Sequence, residues 1–133
     1  MAAFRRFEDI LAWQKARTLN QIVYSATTQG DFSRDYDLRS QIRRVSTSIM
    51  ANIAEGFGRH SDRDFAHFLN IAYASSCEVQ SHLYVALDLN YLTDKTRFDE
   101  IYSLADEICR MVFSLRQKLL GNQTVDSRLP TAN

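Results

Sequence analysis

One proline and four glycines in 133 residues leave this chain with little to interrupt long regular segments. Sandwiches and barrels need far more turn residues, so an all-helical fold is expected. Sixteen basic and sixteen acidic side chains cancel. The molecule therefore has no global field to draw in nucleic acid or anionic lipid, and any such binding must come from a local patch. No apolar run approaches the ~20 residues of a membrane span. The opening MAAFRRFEDILAWQ has two arginines but neither an uninterrupted apolar segment nor a small-residue cleavage site after them. It predicts no secretory signal, and the expected location is the cytoplasm. Cysteine is scarce: Cys77 and Cys109 both sit inside helical patterns with no metal-type or redox-type spacing, which predicts free buried thiols in a reducing compartment.

What is present is helical periodicity on a chain long enough for one compact domain with a real core. A first helix is expected from about Phe7 to Thr28, with Ala12, Ala16, Leu19, Val23 and Ala26 on its buried stripe, Leu11 and Ile22 widening it and Trp13 flanking it. Gly30, Asp31 and Ser33 favour a turn, and Asp35 is placed to cap a second helix over about Tyr36 to Phe57, closed by Gly56 and Gly58 in the left-handed conformation. Ser61 with Asp64 resembles a capping box and opens a third helix reaching about Asn90. After the loop Tyr91 to Thr93, the last stripe is the most regular: Phe98, Ile101, Ala105, Ile108, Val112, Leu115 and Leu119, ended by Gly121. Residues 122–133 are polar, contain Pro130 and are expected to form a mobile tail. Short links between four long helices favour an antiparallel up-down-up-down four-helix bundle over residues 1–121, with a three-helix or swapped arrangement as the rival.

The segment QIRRVSTSIMANIAEGFGR, from Gln41 to Arg59, carries two stripes. Leu38, Ile42, Val45, Ile49 and Ile53 make an apolar face, while Ser48, Asn52 and Glu55 stack beside it. Partners for that polar line include Arg44, Arg59, Ser75 and Glu78. A satisfied network between helices is the structural reading, and a small-ligand or metal pocket around Asn52, Glu55 and Glu78 is the functional alternative. A di-iron centre needs two carboxylate helices and two Glu-x-x-His helices; only Asp64 with His67 approximates that spacing, and Glu78 with His82 is four apart. No cofactor or metal is expected. Ser46, Ser48, Ser75 and Ser76 lack an elbow motif, and the glycines at 56 and 58 follow no strand, so neither a nucleophile nor a phosphate loop is read here.

FEDILAWQKARTL, QIRRVSTSIMANIAEGFGR, FLNIAYASSCEV and LDLNYL together resemble the four helix bundle protein family. That family includes proteins encoded in intervening sequences of bacterial large-subunit ribosomal RNA genes and relatives that accompany the reverse transcriptase of diversity-generating retroelements. The resemblance runs from about Phe7 to Leu119, and its strongest word is NIAEG followed by Gly58 and Arg59. It implies a left-handed antiparallel bundle assembling into a ring, a homopentamer, without established enzymatic activity. Binding of nucleic acid or reverse transcriptase is implied for some branches. Met50 and Ala51 stand where the family usually has proline and serine, so a mid-helix kink is expected to be absent or weaker. Ala74 and Ser75 replace its glycine-serine pair.

Arg39, Arg43, Arg44, Arg59 and Arg63, with Arg5 and Arg6, are the candidates for a local phosphate-binding patch. Solvated helix faces or ion pairs between subunits would use the same residues. The abundant aromatics point to association surfaces, Phe57 beside Arg59 being the one pairing suited to base stacking. The expectation is a bacterial, non-enzymatic, oligomeric interaction module for structured RNA or a nucleic-acid-handling protein.

Overall fold

The computed structural model describes residues 4–121, so the tail expected over 122–133 lies outside the described residues. Four helices follow one another: α1 Leu11–Ala26, α2 Tyr36–Gly58, α3 Asp62–Asp88 and α4 Lys95–Leu120. Each packs on the next, α4 closes back onto α1, and no strand occurs among the described residues. The result is the expected up-down-up-down bundle. Packing is uneven, since α3 makes extensive contacts on both sides and the α1–α4 seam is the thinnest. All seven expected stripe residues of α4 are buried, as are Ala12, Ala16, Leu19, Val23 and Ala26 of α1. On α2, Leu38, Ile42, Ile49 and Ile53 are buried and Val45 is half-buried.

The first helix begins later than its periodicity predicts. Phe7–Asp9 is a single 3-10 turn, Ile10 is extended at φ −76° and ψ 118°, and the α-helix starts at Leu11. Two residues along a continuous helix is a rotation of about 200°, which would turn Ile10 away from the stripe led by Ala12. Breaking the helix lets Ile10 enter the core, where it is 1% exposed, and leaves Leu11 54% exposed rather than widening the stripe. The Asp9 carboxylate accepts from the amides of Arg5 and Arg6, and Phe7 packs edge-on against Trp13 at 5.1 Å. These contacts hold the turn.

Caps agree with the sequence where a side chain does the capping. Asp35 Oδ1 accepts from the Leu38 amide at 3.0 Å and Ser61 Oγ from the Asp64 amide at 3.3 Å. Gly121 caps α4 as expected, but at the C-terminus of α2 the expectation fails. Gly56 and Gly58 are helical, and the left-handed residue after α2 is His60, at φ 61°. Asn90 takes that role after α3, at φ 62°, with Tyr91 N–H donating to Ala86 O and Asn90 N–H to Leu87 O in a Schellman closure. Tyr91 then latches this end of the bundle: it stacks on buried Phe32, and its hydroxyl donates to Asp35 Oδ2 at 2.9 Å while the other oxygen of that carboxylate caps α2.

Gly56 is instead a packing device. A Cβ there would stand 2.7 Å from Phe68 Cβ, 3.0 Å from Phe65 Cδ1 and 3.3 Å from Phe65 O. Nothing lies within 4 Å of the same position on Gly58. Gly56→Ala is therefore expected to destabilise the protein by about 1–3 kcal/mol through overpacking, despite the better helix propensity of alanine. Gly58→Ala should be neutral or stabilising by up to about 1 kcal/mol. Urea unfolding of both variants measures the difference. Hydrogen bonding to Asp35 is the first cause that raises the Tyr91 phenol above its usual 10.0, followed by burial and the nearby carboxylates. A raised folded-state pKa means the contribution is intact below the unfolded value and fades as pH climbs through the folded one. Alkaline titration above pH 10 should therefore destabilise the wild type more than Tyr91→Phe.

Candidate nucleic-acid interface

α2 is bound to its neighbours by polar contacts along both edges. Toward α1, Ser46 and Thr47 both donate to Asn20 Oδ1 at 3.0 Å, and Arg43 Nε donates to Thr27 Oγ1 at 2.8 Å. Thr27 and Ser46 are fully buried. The Ser46 hydroxyl therefore needs its partner, whereas Thr27 Oγ1 also donates to Val23 O at 2.8 Å and accepts from Arg43 in addition. The Arg43 guanidinium also lies 4.5 Å from the centre of the Tyr24 ring. Toward α3, the Ser48 and Ser75 hydroxyls meet at 3.1 Å, and Asn52 Nδ2 donates to Ser48 Oγ at 2.9 Å and to Ser48 O at 2.8 Å.

The polar line read from the sequence divides at this point. Ser48, Asn52 and Ser75 come together, but Glu55 turns outward to Arg59, which binds its Oε2 through Nη2 at 2.9 Å and Nε at 3.3 Å. Glu78 is exposed and makes no ion pair among the described residues. No group of three or more His, Cys, Asp or Glu residues is placed to hold a metal among the described residues.

The five arginines do not form one patch. Arg39 Nη1 donates to Ser33 O in the turn before α2 at 2.8 Å and its guanidinium sits 4.7 Å from the Tyr36 ring centre; one turn on, Arg43 continues the same face of α2. Arg59 lies over Phe68 at 4.9 Å on the α3 side, roughly 24 Å further along the helix axis from Arg43 at 1.5 Å per residue. Arg63 is exposed in the first turn of α3. Of the additional pair, Arg6 reaches Glu8 and Asp9.

Arg44 shares with Arg63 the lack of an ion pair among the described residues and differs in its setting. It is exposed and with Arg43 lines an open depression completed by Tyr24, Ser40, Thr47 and Ser48. Two guanidinium groups and three hydroxyls suit phosphate oxygens, and the Tyr24 ring serves as the platform on which Arg43 lies. Tyr24, Ser40 and Thr47 were not among the site residues suggested by the sequence. Ser40, Arg44 and Thr47 share the outer face of α2 by their spacing, a signal that the sequence carried. The contribution of α1 carried no such signal.

The family model described as 23S rRNA-intervening sequence protein matches residues 8–114. Among solved structures, a protein with unknown function from the S23 ribosomal protein family of Bacteroides thetaiotaomicron is similar, with a TM-score of 0.73 at 25% identity over 80% of this chain and 96% of that one. No curated protein matches this chain.

The two adjacent arginines should separate in their effect on stability. Arg43→Gln removes a donor from buried Thr27 and is expected to cost about 1–2 kcal/mol. Arg44→Gln should stay within about 0.5 kcal/mol of the wild type, as surface substitutions do. Chemical denaturation of the two variants in parallel checks the pair.

Proposed function

The chain belongs to the 23S rRNA-intervening sequence protein family, and on that premise we propose that it is a non-enzymatic, cytoplasmic interaction module whose oligomer presents the Tyr24–Arg43–Arg44 face to the phosphates of structured RNA. The observation that carries this reading is the exposed Arg44, free of any ion pair among the described residues and set in one depression beside Arg43 and three hydroxyls. Arg43 is held in place by Thr27 and Tyr24, so its guanidinium has little conformational freedom left to lose on binding. Arg39 continues the same face of α2, while Arg59 and Arg63 form a separate group at the other end.

A neutral protein needs more than one weak patch to hold a polyanion. The homopentameric ring implied by the resemblance would supply copies of the patch on one body, and linked weak sites bind far more tightly than any one alone. Exposed aromatics such as Tyr36, Tyr73 and Tyr84 suit contacts between copies.

The test is binding of a structured ribosomal RNA fragment across a salt series, with the assembly mass recorded in the same buffers. Affinity should fall linearly on logarithmic axes, and Arg44→Gln should lower the slope by about 1 per patch engaged while leaving the mass unchanged. Arg63→Gln should leave the slope unaltered. Absence of binding at low salt would remove RNA from the account and leave a protein partner as the remaining function.

A further inference from the structure

Cys77 and Cys109 meet across the α3–α4 seam, their sulfurs 4.0 Å apart. Both are free thiols, as expected, but only one of the two is buried. Cys77 is exposed and Cys109 is buried. A disulfide has an S–S bond of about 2.05 Å, so a closure of about 2 Å separates contact from covalency. Cys109 Sγ also lies 3.9 Å from Tyr73 O, and the Tyr73 and Phe113 rings approach to 6.3 Å on the same seam. These neighbours keep the inner thiol next to the outer one.

We propose that Cys77 and Cys109 constitute a reversible dithiol–disulfide site, with Cys77 as the entry thiol, Cys109 as the resolving thiol and a low-molecular-weight disulfide as the oxidant. The order follows from access, because only Cys77 reaches solvent. Burial, then the proximity of Cys77 and of Asp106, pushes the Cys109 thiol up to about 12, so it stays protonated near neutrality and does not initiate exchange. Cys77 attacks one sulfur of the oxidant, taken here as glutathione disulfide, and releases one glutathione. Once Cys77 is in the mixed disulfide its charge no longer opposes ionisation of Cys109, which attacks the Cys77 sulfur and releases the second glutathione, the Cys109 proton passing to that leaving thiolate. Both thiol protons leave on the two glutathione molecules, the two cysteines are oxidised by two electrons, and the glutathione disulfide is reduced by the same two. The product ties α3 to α4 at mid-length and restricts the unfolded chain.

The full chain should be equilibrated without oxygen in glutathione buffers of rising oxidation, alkylated, and weighed intact. The expected product is a monomer lighter than the reduced chain by two hydrogens, with neither cysteine alkylated and with full recovery on reduction. Cys109→Ser should stop at the glutathione adduct on Cys77, and Cys77→Ser should remain reduced. A wild type that stops at the single adduct, links two chains through Cys77, or stays fully alkylated under oxidising buffer overturns the proposal, and the wild-type result stands whether or not either variant folds.

Discussion

The distance between α2 and α3 is fixed by the one place where neither helix has an atom to spare. Gly56 faces Phe65 and Phe68 with no room for a Cβ. Because the helices are antiparallel, that approach sets the register along the whole seam. Eight residues back along α2 and seven forward from Phe68 on α3, the Ser48 and Ser75 hydroxyls are then near enough to share a proton. Asn52, one turn from Ser48, closes the pair from the side. A wider seam would leave the buried Ser75 hydroxyl without this partner, at a cost comparable to the hydrogen bond itself. The hydrogen bonds are thus a consequence of the glycine contact as much as a support for it.

Arginine on this bundle packs on rings nearly as often as it makes ion pairs. Arg39 covers Tyr36, Arg43 covers Tyr24, Arg59 covers Phe68 and Arg17 approaches Trp13. A guanidinium loses little by lying on a ring face and keeps its edge for hydrogen bonds. Most of the positive charge is consequently committed before any ligand arrives. Arg44, like Arg63, has no such commitment; what sets it apart is the shared depression with Arg43, which has been made rigid by its own contacts.

Much of this arrangement was legible, and what was not has identifiable causes. The α4 stripe and the caps Asp35 and Ser61 are local features, set by spacing and by one side chain each, and both survived folding. The start of the first helix and the place of Leu11 were misjudged because the burial of Ile10 is decided by the core and not by the neighbouring periodicity. Gly56 was taken for a terminator because a glycine that permits a turn and a glycine that admits a facing helix look alike along the chain. Glu55 with Arg59 was in fact readable as a favourable acid-to-base pair four apart, and it competed successfully for the carboxylate assigned to the polar line. The sulfur pair had a signal too. Cys77 and Cys109 lie at equal distances from Thr93, the loop residue about which α3 and α4 fold back on one another.

The same symmetry shows why the two seams of α3 behave differently. On the α2 side the helix meets glycine, serine and asparagine, whose short side chains hold a close and hydrogen-bonded contact. On the α4 side it meets Phe98, Tyr102, Cys109 and Phe113 through Tyr84, Cys77 and Tyr73. Large rings and sulfur are polarizable and tolerate small adjustments in spacing, whereas a missing Cβ does not. A change of bonding between α3 and α4 can therefore be absorbed on that seam while the Gly56 contact holds α2 where it is. The face that carries Arg43 and Arg44 belongs to α1 and α2, so it rests on the side of the bundle that such a change disturbs least.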